Sequence, residues 1–282
     1  MKIRAKLNKP TKITLTVLAA ILVVLLTLTW IMFMIIQVHK TYTYGFSGGY
    51  EGTKTIAHRG YSGKYHDNTV QAFTAAGENE FFNGIETDIR LTLDGVWVCS
   101  HDDNPFVDKS VYITKSRYED IKDLPIDTVN HGNATADKTI GYRIATYEQY
   151  LNICDEYDKI ALIEIKGEYD VEALTAPVSE AMKKLGYYGA YFGSFTLSSI
   201  ENVLKISPYA RVLTFAGQSI VAYCYQKMGY SVGVNKKILT EKLISRSRNN
   251  DHATFVYTIK NKEEYAFYKE MKVDYIITDY AY

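Results

Sequence analysis

The sequence predicts an α/β chain folded as a (β/α)8 TIM barrel with a small insertion, preceded by one transmembrane helix. Three observations lead there. About 240 residues follow an N-terminal apolar run, close to the ~250 typical of such barrels. Eight short apolar runs alternate with helical patterns over that length, which implies a parallel sheet that closes on itself. The N-terminal run itself, 13–36, has 24 residues with neither charge nor proline.

The first twelve residues form a basic stub. Lys2, Arg4, Lys6, Lys9 and Lys12 are unopposed by any acid, and the rest of the chain then holds 27 basic against 32 acidic residues. As a helix, 13–36 extends about 36 Å, enough to cross a hydrocarbon core of about 30 Å with some tilt. It exceeds the apolar region of a signal peptide and carries Trp30, Met32 and Phe33 toward its far end; cleavage after export is the competing reading. Cations before the span keep that flank cytoplasmic. The expectation is a single-pass protein of the cell membrane with an extracellular catalytic domain. Residues 37–54 read as a linker.

The barrel is expected over 55–282. Its candidate strands are Thr55–His58, Gly84–Arg90, Ile160–Lys166, Ala190–Ser194, Arg211–Phe215, Ser231–Val234, Thr254–Thr258 and Tyr275–Thr278. Helical stretches include Val70–Glu80, Val171–Leu185 and Lys262–Met271. An additional strand, Val96–Ser100, and an insertion at about 103–145 break the rhythm over the barrel mouth. Thr146 and Gln149 have capping-box spacing. Cys99, Cys154 and Cys224 lack metal or redox spacing and read as buried thiols. The formal net charge is zero, which gives no footing for a nucleic-acid partner, and nothing in the chain fixes an oligomeric state.

The chemistry sits at strand ends. Glu86 and Asp88 alternate with Ile85 and Ile89, so both carboxylates share one face of their strand. Glu164 and Lys166 share a face in the same manner. Barrel strands are ordinarily apolar on both faces, so inward carboxylates require a compensating cation. Three convergent carboxylates make a hard oxygen site for Ca²⁺ or Mg²⁺; the alternative pairs them with Arg90 and Lys166. His58 and His101 end strands where a barrel places its active site, and two imidazoles can serve as acid and base. Arg59 offers a fork of donors for phosphate oxygens.

The segments His58-Arg59-Gly60, Asp67-Asn68-Thr69, Glu86-Thr87-Asp88, Leu93-Asp94-Gly95, His101-Asp102, Glu164-Ile165-Lys166, Ser194-Phe195 and Ile277-Thr278-Asp279 occur in that order. In this the chain resembles the glycerophosphodiester phosphodiesterase family from about Thr55 to Tyr282. The resemblance implies His58 and His101 as catalytic acid and base, and Glu86, Asp88 and Glu164 as metal ligands. It also implies Arg59 and Lys166 as phosphate contacts. The implied reaction is metal-dependent hydrolysis of a small glycerophosphodiester, a lipid-derived head group or glycerol-phosphate polymer, to glycerol 3-phosphate and an alcohol. Departures from the family pattern are Asp67 for Glu, Ala145 for Pro and Tyr257 for Trp. Two other readings stand beside this one. One is a sphingomyelinase D-like phosphodiesterase acting on phospholipid head groups; the other is an inactive surface barrel kept as a binding module.

Overall fold

The structure, a computed structural model of the whole chain, describes residues 9–39 and 50–282 apart from 131 and 134; within the first stretch, side chains are described over 17–32. Contacts divide the chain into two units, Met1–Tyr42 and Thr43–Tyr282.

The first unit contains helix α1, Lys9–His39. Its described side chains, 17–32, are all exposed. Among the described residues no helix is long and apolar enough to cross a membrane. Residues 17–32 alone would extend only about 24 Å against a core of about 30 Å. The spanning helix expected over 13–36 is therefore not met by the described residues. The side chains of 13–16 and 33–36, residues 1–8 of the stub and 40–49 of the linker lie outside them.

In the second unit, β1 (Lys54–Ala57), β2 (Gly84–Leu91), β5 (Ile160–Ile165), β6 (Ala190–Ser194), β7 (Arg211–Ala216), β8 (Ser231–Asn235), β9 (Thr254–Ile259) and β10 (Tyr275–Thr278) form the barrel. Neighbours pair in parallel throughout, and β1 closes the ring by pairing with both β10 and β2. Two short strands, β3 (Trp97–Cys99) and β4 (Ala145–Thr146), extend β2 antiparallel. β4 falls at the expected end of the insertion, and two residues are too few to reveal a strand period in sequence.

Helices alternate with the barrel strands: α2 (Val70–Gly77), α4 (Tyr147–Glu156), α5 (Val171–Gly189), α6 (Leu197–Ile206), α7 (Ser219–Met228), α8 (Glu241–Arg248) and α9 (Lys262–Glu270); the single-turn α3 (Tyr118–Ile121) lies in the insertion. Side-chain caps fix their starts. Thr69 accepts from the Ala72 N–H, and Thr146 with Gln149 makes the expected reciprocal box. The predicted end of α5 at Leu185 coincides with a break at Gly186, where φ is 70°. Strand alternation then builds two apolar layers. One lies between sheet and helices and contains Ile85, Ile89, Ile163 and Ile165. The other fills the lumen with Ile56, Leu162, Tyr191, Leu213, Phe255 and Tyr275.

The insertion has a core of its own, made by Val98, Phe106, Ile113, Ile121 and Ile144. Cys99 and Cys154 are buried as expected; Cys224 is exposed on α7, where no apolar neighbour layer covers it, and all three thiols are free.

Candidate active site

In the β2–β5 ladder Asp88 lies opposite Glu164 and Glu86 opposite Leu162. Alternation sends the isoleucines outward and the acids into the upper lumen. Glu86, Asp88 and Glu164 are all buried, and their ligand oxygens lie within 4.8 Å of one another. Lys166 Nζ stands 3.0 Å from Asp88 Oδ1 and 2.5 Å from Glu164 Oε1. Arg59 Nε stands 3.2 Å from Asp88 Oδ2, and the Arg59 N–H donates to Glu86 Oε2 at 2.7 Å. Asn68 donates to Asp88 Oδ2 at 2.9 Å.

Three carboxylates thus face two cationic side chains, and the imbalance shows in their protonation. Burial, then the charges of Asp88 and Glu164, raises Glu86 well above the usual carboxylate range. Burial, followed by Asp88, pushes Glu164 up to about 7 against the pull of Lys166. Burial also opposes the charge on Asp88, but Arg59 and Lys166 hold it well below its usual value. A hard oxygen set short of positive charge fits Ca²⁺ or Mg²⁺, so these three residues could hold a divalent ion. Of the ion pairs set against that reading, Lys166 forms its share. Arg90 does not: its Nε and Nη2 donate to the His101 carbonyl at 3.1 and 2.6 Å.

His58 follows β1, and its Nδ1 bonds Asp279 Oδ1 at 2.6 Å. His101 follows β3, and its Nδ1 bonds Asp102 Oδ1 at 2.9 Å. Each imidazole is therefore oriented through Nδ1, which leaves Nε2 for proton transfer. Burial and then Arg59 lower the His101 pKa, which favours its neutral form. Burial works against the Asp279 charge, yet His58 and Lys260 keep its carboxylate below the usual range.

Both histidines border one cavity of about 170 Å³, together with Arg59, Glu86, Glu164 and Lys166. Asp88 joins them through its ion pairs with Arg59 and Lys166. Arg59 has φ of 56°, and its Nη1 also bonds Asp67 Oδ2 at 3.1 Å. Its fork therefore positions acids as well as facing the cavity. Gly60 serves packing: an added Cβ would lie 2.6 Å from the Ala72 carbonyl carbon.

The opposite wall is aromatic. Phe195 stacks on Phe215 with centroids 5.2 Å apart, and Tyr257 meets Phe215 edge-on at 5.5 Å. Phe215 has room because Gly193 and Gly233 flank it; a Cβ on either would come within 2.7 or 2.6 Å of its ring. The sequence marks Asn68, Phe195, Tyr257 and Asp279 only as positions of the family pattern, and it gives neither the stacking on Phe215 nor the bonds made by Asn68 and Asp279. The signal for Asp279 was available: Ala57 pairs with Thr278, so the residues just past β1 and β10 are neighbours.

Comparison with known proteins places this arrangement. A profile described as "Glycerophosphoryl diester phosphodiesterase family" matches residues 58–281. A glycerophosphodiester phosphodiesterase from Caldanaerobacter subterraneus is 28% identical over 236 residues, covering 80% of this chain and 94% of its own. The crystal structure of a glycerophosphodiester phosphodiesterase from Thermotoga maritima superposes with a TM-score of 0.62 at 28% identity, over 82% of this chain and 96% of that one. An Oleispira antarctica phosphodiesterase, solved with its product sn-glycerol-3-phosphate, shares the fold with a TM-score of 0.66 at 18% identity, over 81% and 93%.

Proposed function

The chain belongs to the glycerophosphoryl diester phosphodiesterase family, and from that premise we propose that it hydrolyses glycerophosphodiesters to glycerol 3-phosphate and an alcohol. The observation that carries the reading is convergence. Two oriented imidazoles from separate strand ends border one cavity whose wall includes members of a buried carboxylate triad. An inactive barrel would have been free to lose any of these groups, and all five are kept in one place. The Oleispira fold relative is bound to the product expected here.

The reaction adds water across a phosphorus–oxygen bond. One imidazole takes a proton from the attacking hydroxyl, and the other gives a proton to the departing alkoxide. Asp279 and Asp102 hold the two rings by Nδ1, so each Nε2 exchanges its proton with little reorientation. Arg59 and Lys166 set positive charge beside the phosphoryl group. A divalent ion held by Glu86, Asp88 and Glu164 would supply Lewis-acid polarisation of a phosphoryl oxygen. The aromatic wall gives the carbon skeleton of the glycerol an apolar surface. The test is release of glycerol 3-phosphate from a panel of glycerophosphodiesters, with chelator and with added Ca²⁺ or Mg²⁺. Full turnover in chelator would remove the ion from the reaction, and no turnover under any condition would remove the hydrolase reading.

Attachment to the membrane, with the barrel outside the cell, is a separate proposal. It rests on the uncharged run 13–36 and its five preceding cations. Protease added to intact cells should then digest the barrel; a barrel that stays protected until the membrane is opened would overturn this.

A further inference from the structure

A phosphodiester has two arms, and among the described residues of the barrel mouth two further spaces lie beside the central cavity. On the His101 side, a cavity of about 40 Å³ is bordered by His66, Asp67 and Pro105. That is room for about one water and not for an alcohol head group. On the His58 side lies a recess of about 320 Å³, bordered by His58, Arg59, Ser62, Asn133, Lys260 and Asp279 among others. His58 and Arg59 line both this recess and the central cavity, so a diester with its phosphorus at the histidine pair can extend one arm into each.

The recess is built rather than incidental. Asp279 is only 5% exposed, and its carboxylate receives Ser62 Oγ at 3.2 Å and Asn133 Nδ2 at 3.1 Å, with Lys260 Nζ at 3.4 Å. Asn133 is fixed from its other side, where Tyr280 Oη donates to its Oδ1 at 3.2 Å. Thr135 ties the same segment of the insertion to the Gly63 carbonyl at 2.7 Å. The insertion thus supplies one wall and the ends of β9 and β10 supply the other.

Resting on the hydrolase reading, we propose that this recess binds the leaving alcohol and selects one that carries hydroxyl groups, a glycerol- or inositol-like polyol. Its polar groups are an amide, a hydroxyl, an ammonium and carboxylates, which can donate to and accept from vicinal hydroxyls. Both carboxylates are already matched by cations, Asp67 by Arg59 and Asp279 by Lys260. Among the described residues, no aromatic face other than the His58 imidazole borders the recess. A quaternary ammonium therefore finds neither free negative charge nor an aromatic cage, and an acyl chain finds no apolar wall. His58 becomes the group beside the departing oxygen.

The experiment compares kcat/KM for four diesters of sn-glycerol 3-phosphate, whose alcohols are glycerol, inositol, choline and ethanol, using wild type, Asn133→Ala and Lys260→Ala with metal supplied. Wild type should favour the two polyol diesters by at least about tenfold, the scale of one lost hydrogen bond to a charged group. The variants should lose far more on polyol diesters than on the ethyl diester, mainly as a rise in KM. Equal rates on all four, a preference for choline, or an equal loss on every substrate would overturn the recess while leaving the hydrolase reading intact. Failure of wild type on all four diesters would overturn both.

Discussion

The floor and the mouth of the barrel lumen are made from the same strands and differ by one pleat. On β5, Leu162 points to the floor and Glu164 to the mouth; on β1, Ile56 lies below and His58 above. The floor is filled: Phe255 stacks on Tyr275 with centroids 4.1 Å apart, and Arg211 lies over the Tyr191 ring at 3.8 Å. The mouth is held open and carries mutually repelling acids. The floor therefore supplies stability and the mouth gives some up for chemistry, as expected when strain is concentrated at a site.

The largest expected effect separates the two layers directly. Glu86→Gln should abolish turnover, because it removes an anionic oxygen from the triad. It should leave the denaturation midpoint unchanged or raised, because burial and two acidic neighbours already disfavour the Glu86 charge. Phe255→Ala should do the reverse, costing about 3–5 kcal/mol of stability for a buried aromatic while the folded fraction keeps its turnover. Urea denaturation beside initial rates reads both. A destabilised Glu86→Gln or a dead but stable Phe255→Ala would erase the distinction.

Within the mouth, His58→Ala and His101→Ala should each lower turnover by roughly 10²–10⁴-fold with unchanged thermal stability. The double variant should be little worse than either alone, since the pair acts as a unit. Substrates with a nitrophenol leaving group sharpen the result. Loss of the imidazole beside the leaving group should matter less there, because nitrophenolate departs without a proton. Near-normal rates for both variants on every diester would show that the pair is not the machinery.

How much of this was legible follows from how local each signal is. Eight strands and the inward carboxylates are carried by short-range alternation, and β6 matches its expected bounds, Ala190–Ser194, residue for residue. The exposed Cys224 was misread because burial of a lone thiol depends on which face of α7 meets the barrel, and composition is silent on that. The His58–Asp279 bond joins residues 221 apart, so only ring closure brings it into view. Arg59 was read as a phosphate fork from its chemistry alone; its left-handed backbone and its bonds to Asp67 and Asp88 need coordinates.

A smaller effect tests the charge imbalance of the mouth. Without metal, Glu86 and Glu164 have raised pKa values in the folded state, Glu164 near 7. Against an unfolded value of about 4.3, the contribution of Glu164 to stability is complete below that pH and is lost as pH rises through about 7, and Glu86 acts in the same direction. A divalent ion held by the triad would replace the protons. Affinity for Ca²⁺ or Mg²⁺ measured by calorimetry should therefore tighten from about pH 5.5 to about pH 7.5, with protons released on binding. The metal-free melting temperature should fall over the same range. A flat affinity profile would mean that the triad does not exchange protons for metal.

The smallest effect is expected at Asp67, where the mouth touches the insertion. Its Oδ2 receives Arg59 Nη1 at 3.1 Å, and its Oδ1 lies 3.2 Å from His66 Nδ1. A Cβ on Gly132 would lie 3.1 Å from that same Oδ1, so the insertion packs close on this carboxylate. Asp67→Glu adds one methylene at a point already bordered by the cavity of about 40 Å³. That space is about the size of one water, enough to take the longer side chain as it bends back to Arg59. The stability loss should then stay below the about 1–3 kcal/mol of an overpacked core. A displacement of Arg59 worth under about 1 kcal/mol of barrier is under about fivefold in rate. Comparing kcat with KM identifies the source of any change: a fall in kcat points to Arg59 moving against the acids, and a rise in KM points to the insertion moving away from the recess. A loss as large as that of the histidine variants would mean that Asp67 belongs with the mouth's chemistry and that the shorter acid is required there.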